Sequence, residues 1–409
     1  MEDLLDVMLL ENMKKYYNFI ILLVLVLFVI HTWVCANAPE LKRLLLVPNE
    51  NTEESHALEP EVDLPTGIGI ITAVPSQSYS ARFVNKLKKL SNFVNAPAIL
   101  HEFWPVNFMD RQNEVQDIVL DMLNNPEIGA LVISDAIPGC DVAIKSVADL
   151  RNPFFSVVCN PDKDFNTIAS QVNLVIALDW ESLMCRMVQQ ADQMGANTFV
   201  FYYTWQDTRS DFWEQMLVLV EDTCVDLELD FIPEMFPKGE TSPSAIEFLE
   251  HDLPVKVEEY GSNTAFFSTV MQPTLIVQVI EQGAFFAMPR YPSPYYGFPE
   301  ALEIEVTDED YGDYELINEQ IARVVLERGA NSRVSSFLVD SQDLELRTAY
   351  EYVAKWLKDE LPGTDIDLHE IQQIMESIAN TPCYLRFYEE DGLVYDNYVL
   401  YCFDPYIVH

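Results

Sequence analysis

The chain has 409 residues, 49% of them hydrophobic and 22% charged, too long for one compact domain and too apolar for a disordered one, so two domains of ordinary size fit best. Lys plus Arg total 24 against 66 Asp plus Glu, a formal charge of -42, which leaves no general basic surface for nucleic-acid phosphates and excludes a sequence-independent DNA binder. The 13 glycines argue against glycine-rich repeats and phosphate-cradling loops. Such acidity suits a solvated surface in an external or salty medium, or a cationic ligand, with screening beyond ~8 Å at physiological ionic strength.

The first segment reads as an address. Met13, Lys14 and Lys15 precede an unbroken apolar run over Phe19–Ile30, and Val34, Cys35 and Ala36 follow where a signal peptidase reads. Residues 1–36 are therefore expected to be a signal peptide, with translation starting at Met13 and the mature chain near Asn37. Two alternatives stay open: acylation of Cys35 as in a lipoprotein, and retention of the run as a short anchor. Either way the bulk lies outside the cytoplasm, secreted or held at the cell surface. Residues 37–66, rich in Pro, Glu, Asn and Thr, read as a tether.

From Gly67 the pattern alternates between short apolar runs and amphipathic stretches. Strands are expected at Gly67–Val74, Ala98–His101, Ala130–Ile133, Phe154–Val158 and Leu174–Ala177, and helices around Ala81–Leu90, Val115–Leu123 and Leu183–Ala191. A second set follows, with strands at Thr198–Tyr203, Leu227–Ile232, Thr264–Phe267 and Ala284–Met288 and helices at Phe212–Cys224, Ser244–Tyr260 and Thr274–Gln282. Runs buried on both faces between amphipathic helices require a parallel sheet covered on each side. The expected fold is α/β, two doubly wound Rossmann-like lobes joined by a hinge, over 67–179 and 180–299. Residues 300–409 complete the lobes, with a strand at Glu303–Val306, helices at Tyr314–Arg328, Leu344–Leu357 and Ile366–Ile378, a crossing strand at Ser335–Val339 and a hairpin around Asp391-Gly392.

In open parallel sheets ligands sit beyond the carboxyl ends of the strands, so the loops there supply the candidates. In the first lobe these are Ser76, Gln77, Tyr79, Trp104, Asn107, Ser134 and Asp135, and in the second Trp205, Arg209, Ser268, Gln272, Arg290, Tyr291 and Tyr295. Aromatic faces mixed with hydroxyl and amide groups suit a ring or sugar, with Trp104, Trp205 and Tyr295 as platforms, while Arg209 and Arg290 can hold a carboxylate. The competing roles are plain: aromatics can plug strand ends or pack between lobes, and arginines can pair with neighbouring acids.

Other features carry less. Gly67-Ile-Gly69 lacks the third glycine of a dinucleotide fingerprint and more naturally starts a strand. Asp308, Asp310 and Asp313 do not match a calcium loop, and His101, His251 and His369 show no metal spacing. No CxxC or GxSxG occurs, so no metal, cofactor or enzymatic activity is expected. Cys140, Cys159, Cys185, Cys224, Cys383 and Cys402 are too sparse for a disulfide framework, and a bridge between Cys383 and Cys402 stays open.

The strings IGIITAVPSQS, FWPVNFMDRQNEV, ALVISDAIPGC, NTAFFSTVMQPTLI, GAFFAMPRYPSPYYGFPEAL and YVLYCFDPYI together resemble the bacterial family named domain of unknown function 3798, from Gly67 to the C-terminus. That family is similar to type I periplasmic binding proteins, so the resemblance implies two hinged lobes and a secreted chain. The function expected is an extracytoplasmic solute-binding protein that closes over a small ring- or sugar-containing molecule for a membrane permease, with hinges near Asp179, Arg290 and Ser335. The alternative is a sensory module signalling to a membrane receptor; an enzyme comes third, since no nucleophile, base and orienting group can be assembled.

Overall fold

The computed structural model describes residues 66–74, 80–91, 97–147, 155–159, 165–237, 242–361 and 365–409, all within one compact unit, Asp63–His409. The expected leader, Cys35, the tether up to residue 65 and the candidates Ser76, Gln77 and Tyr79 lie outside these residues.

The first lobe begins with β1 (Gly67–Thr72), α1 (Ser80–Ser91), β2 (Ile99–Phe103), α2 (Gln112–Asn124), β3 (Ile128–Ile133), α3 (Cys140–Val147), β4 (Phe155–Cys159), α4 (Phe165–Ala169) and β5 (Leu174–Leu178). Strands β1, β3, β4 and β5 are buried along their whole length because successive side chains feed two different cores. Ile70, Val132, Val157 and Ile176 face one core, while Ile71, Ile133, Val158 and Val175 face a second, built with Val115, Val119 and Met122 of α2. Each such fully buried aliphatic side chain contributes ~1.5–3 kcal/mol relative to exposure. Gly67 is required where it stands: it donates to the Glu127 carbonyl at 2.8 Å, and a Cβ there would sit 2.7 Å from the same oxygen. The two glycines thus serve a strand.

The chain then enters the second lobe through α5 (Trp180–Met194), followed by β6 (Thr198–Tyr203), α6 (Asp211–Asp226), β7 (Asp230–Met235), α7 (Ser242–Tyr260), β8 (Thr264–Ser268), α8 (Gln272–Gln282), β9 (Phe285–Phe286), α9 (Phe298–Leu302) and α10 (Tyr314–Glu327). Its strands run in the order β7-β6-β8-β9, all parallel. A short strand, β10 (Ser335–Ser336), leads to α11 (Ser341–Leu357), α12 (Leu368–Ala379) and the hairpin β11 (Cys383–Glu390) with β12 (Leu393–Phe403); the last strand is β13 (Tyr406–Ile407). The hairpin returns to the first lobe, whose sheet reads β11-β12-β5-β4-β3-β1-β2 with β12 parallel to β5. Helix α11 packs beside α1 and across β1, β3, β4 and β5. Both sheets therefore share the doubly wound order in which the second strand lies outside the first and the third lies inside it.

Three crossings join the lobes, between β5 and α5, between β10 and α11, and between β12 and β13. They are tied to one another: Asp179 N–H donates to the Tyr401 carbonyl at 2.7 Å, β10 and β13 pair antiparallel, and Val408 N–H donates to Val334 O at 2.8 Å.

Several elements differ from expectation. Glu303–Val306 is not a strand, because Glu303 adopts φ 57° and ends α9. The strand expected at Leu227–Ile232 lies at Asp230–Met235, since Leu227 terminates α6, and Pro233 is tolerated on this sheet-edge strand. Cys383 and Cys402 are free thiols; Cys383 pairs with Phe403 and Tyr384 with Cys402, an offset that turns the two sulfurs to opposite faces.

Candidate functional site

At the carboxyl ends of the second-lobe strands the loops are held from below. Asp207, in the turn after β6, is buried, and its Oδ2 accepts from Thr204 N–H at 2.6 Å, Thr204 Oγ1 at 2.8 Å and Thr269 Oγ1 at 2.7 Å. One carboxylate thus fastens the loop after β6 to the loop after β8. Thr269 O in turn accepts from Arg290 Nη1 at 2.6 Å, and Gln272 joins the same frame, donating to Ser268 O at 2.5 Å and accepting from Arg290 N–H at 3.2 Å. Met271 takes a left-handed φ of 55° at the start of α8, local strain of ~1–3 kcal/mol at the same place.

Above this frame stands an aromatic array. Trp205 is 37% exposed, Phe212 38% and Tyr291 43%. Tyr291 meets Trp180 edge-on at 5.9 Å and Tyr296 at 5.1 Å, and Trp180 meets Phe212 at 6.1 Å. The Arg290 guanidinium lies 5.2 Å from the Trp213 ring and 5.4 Å from the Tyr291 ring, and Arg209 lies 4.8 Å over Trp205. Among the described residues neither arginine has a carboxylate oxygen within 4.0 Å. Trp180 begins one residue beyond Asp179 at the end of β5, so its packing on Phe212 and Tyr291 brings the strand ends of the two sheets together.

The first-lobe candidates are arranged differently. Trp104 is 2% exposed with its Nε1 donating to the Asp135 carbonyl at 2.6 Å, so it plugs the strand ends and is no platform. Asp135 is turned inward, accepting from Ala73 N–H at 3.0 Å and Ser80 Oγ at 3.2 Å. Ser134, Ser268 and Gln272 are buried scaffold, whereas Asn107 stands exposed. Tyr295 also departs from the platform role. It is 3% exposed, packs tilted against Tyr311 at 4.8 Å, donates to Asp310 O at 3.1 Å and accepts from Gly312 N–H at 2.9 Å. The loop it orders meets α1 of the other lobe through the Arg82–Asp308 pair at 3.0 Å and Arg82 over the Tyr311 ring at 4.5 Å. Tyr295 therefore shapes a contact between lobes. The structure pairs two sets of sequence candidates, Arg209 over Trp205 and Arg290 beside Tyr291, on loops linked through Thr204, Asp207 and Thr269.

Trp180, Phe212, Trp213 and Asp207 were not among the sequence candidates. Trp180 follows the strand Leu174–Leu178 directly, so the strand-end rule applied to that loop would have found it. Phe212 and Trp213 open a helix and read there as ordinary helical residues.

The crossings carry charge in opposite ways. Burial pushes the Asp179 carboxyl up, but Arg386, donating at 2.6 and 3.1 Å, and Ser182, donating at 2.8 Å, outweigh it and hold the group below the usual range. Asp340, at the second crossing, is pushed up to about 7, mainly by burial, with Ser293 opposing and the Asp343 charge adding to the rise. Asp343 is itself raised by burial against the pull of Arg347 and of Tyr314, whose hydroxyl donates at 2.7 Å.

An open groove of about 1000 Å³ also runs between α5 and α6. Its lining is mixed, with four carboxylates, Glu181, Asp211, Glu214 and Asp222, beside apolar and neutral polar side chains, and its one arginine, Arg186, is engaged by Asp404 and by the Tyr384 ring at 3.6 Å. The strand ends, with uncommitted arginines and exposed rings, offer the more specific chemistry. No cluster of three or more His, Cys, Asp or Glu arranged for a metal occurs among the described residues, and no helix among them is long and apolar enough to cross a membrane.

Two doubly wound α/β lobes with three crossings and neighbouring strand ends define the architecture of type I periplasmic binding proteins. The chain belongs to the family described as Protein of unknown function (DUF3798), which matches residues 67–335. An uncharacterized protein of Treponema pallidum (strain Nichols) is 25% identical over 139 residues, 34% of this chain, and the chain spans 63% of the length of that relative. Among solved structures, a putative transcriptional regulator from Clostridium difficile 630 superposes with TM-score 0.77 at 18% identity, over 83% of this chain and 98% of that one, and so shares the fold. A sugar ABC transporter from Actinomyces odontolyticus ATCC 17982 superposes with TM-score 0.46 at 10% identity, over 73% of this chain and 86% of that one.

Proposed function

We propose that the protein is an extracytoplasmic solute-binding protein: its lobes close over a small molecule at the neighbouring strand ends, and the closed form is presented to a membrane permease of the ABC type. The observation that carries this reading is the exposed array of Trp205, Phe212 and Tyr291, with two arginines that no described carboxylate engages, set on a hydrogen-bonded frame where open α/β sheets hold ligands. The three crossings supply the hinge. Ligand contacts from both lobes favour closure by differential affinity, and taking the closed form from 1:99 to 99:1 requires ~5.5 kcal/mol of it. The leader expected over residues 1–36 supports placement outside the cytoplasm.

The test is a thermal-shift screen of the full chain against sugars, nucleosides, amino acids and organic acids. A cleft ligand raises the unfolding temperature in proportion to the logarithm of its concentration above Kd. A screen in which nothing does so contradicts the reading. N-terminal sequencing of the exported protein is expected to begin near Asn37, and a cytoplasmic, unprocessed chain would contradict the location.

A further inference from the structure

We infer that the cleft takes a small planar anion, a ring carrying a carboxylate, and that Arg290 is the residue that holds the carboxylate. This rests on the strand-end cleft being the ligand site.

In a chain of net charge -42, an arginine at a cleft wall would ordinarily have an acid against it. The Arg290 side chain instead makes one hydrogen bond, from Nη1 to the Thr269 carbonyl, and that bond fixes its direction. Its Nε is buried without a hydrogen-bond partner. Two rings, Trp213 and Tyr291, flank the guanidinium at 5.2 and 5.4 Å, and its backbone N–H is anchored on Gln272. With Nη1 on the Thr269 carbonyl and Nε buried, the guanidinium has no acid against it, and its Nη end is left for a carboxylate, which it can meet through Nη2 and the second N–H of Nη1. Arg209, over Trp205, adds a second positive charge at the same end of the sheet.

The ring half of the ligand follows from the same surface. Three of the five exposed large aromatic side chains among the described residues, Trp205, Phe212 and Tyr291, stand at these strand ends; Phe103 and Tyr384 are the others. Such faces attract a flat π system, and a sugar would call for uncommitted amide and carboxylate groups beside them. Here Gln272, Asp207 and Asp135 spend polar atoms within the protein, and Asn107 is the exposed amide among the strand-end candidates, so sugars stand as the competing outcome of the test.

The test measures binding to the full chain by calorimetry and tryptophan fluorescence, with three sets of probes: benzoate and indole-3-carboxylate; the corresponding neutral amides; and neutral sugars and nucleosides. The acids are expected to bind at least about tenfold more tightly than their amides, the worth of a charged fork contact. Arg290→Gln is expected to erase that acid–amide difference, and Arg290→Lys to restore only part of it. Amides or sugars that bind wild type as tightly as the acids overturn the ligand class while leaving the cleft reading intact. A wild-type acid–amide difference that survives in Arg290→Gln overturns the role of Arg290. Failure of every probe set counts against the cleft reading and this inference together. The wild-type comparison needs no variant, so a poorly folding Arg290→Gln leaves the ligand class decided.

Discussion

The two lobes wind their strands in the same order, yet treat their strand ends in opposite ways. At the described strand ends of the first lobe the main groups are used internally, Asn107 apart: Asp135 bonds to Ala73 and Ser80, and Trp104 closes over the loop with its indole N–H on the Asp135 carbonyl. In the second lobe Asp207 and Gln272 do that internal work, which leaves Trp205, Phe212, Tyr291 and Arg209 exposed and the half-buried Arg290 without an acid against it. A polar or aromatic residue at a strand end is therefore no ligand contact by position alone. What decides is whether its donors, acceptors and rings are already used.

Six substitutions, two of them read through a pH titration, bear on that contrast and on the hinge, from the largest effect to the smallest. Trp104→Ala empties a buried site and is expected to cost ~3–5 kcal/mol in urea unfolding while leaving the affinity of any cleft ligand unchanged. A loss of affinity at preserved stability would make Trp104 a ligand contact after all. Asp207→Ala removes the acceptor shared by Thr204 and Thr269, with an expected loss of ~2–4 kcal/mol and weaker binding, because both loops lose their common anchor. Stability within ~0.5 kcal/mol of wild type would deny it the anchoring role.

Tyr291→Ala and Trp205→Ala act on exposed rings, so each is expected to change stability by less than ~1 kcal/mol while weakening a ring-bearing ligand about fivefold to tenfold by calorimetry. Unchanged affinity removes that ring from the site. The titration concerns the hinge. Asp340 is raised to about 7 from an unfolded value of ~3.9, so folding takes up a proton and stability falls as pH rises through that window. Asp179 is lowered, so its contribution is present above ~3.9 and is lost as pH falls through its folded value. Asp340→Asn is expected to flatten the slope between about pH 4 and 7, and Arg386→Gln to weaken the loss at low pH; slopes identical to wild type would contradict these assignments.

Much of the fold was legible because its central strands are buried on both faces and its helices on one, so hydrophobic period separates them, as at Thr198–Tyr203; the hairpin, whose strands are only partly buried, was marked instead by its Asp391-Gly392 turn. Periodicity carries no information on which strands become neighbours, so the return of β12 to lie beside β5 could not be read locally. The edge strand β7 was misplaced because it is only half buried and the apolar Leu227 and Leu229 precede it. At the candidate site, position after a strand marked Arg290 and Tyr291 for a physical reason. The same rule could not separate them from Trp104 and Tyr295, because internal hydrogen bonding is a property of the assembled loops.

The most direct test of a ligand held at the strand ends is hydrogen–deuterium exchange of the full chain with and without a compound that raises its unfolding temperature. Added protection is expected over residues 203–213 and 287–296, with slower exchange at the crossings near 179 and 335–340 as the lobes close. Protection confined to the groove between α5 and α6, or absent from the second-lobe strand ends, would contradict the account.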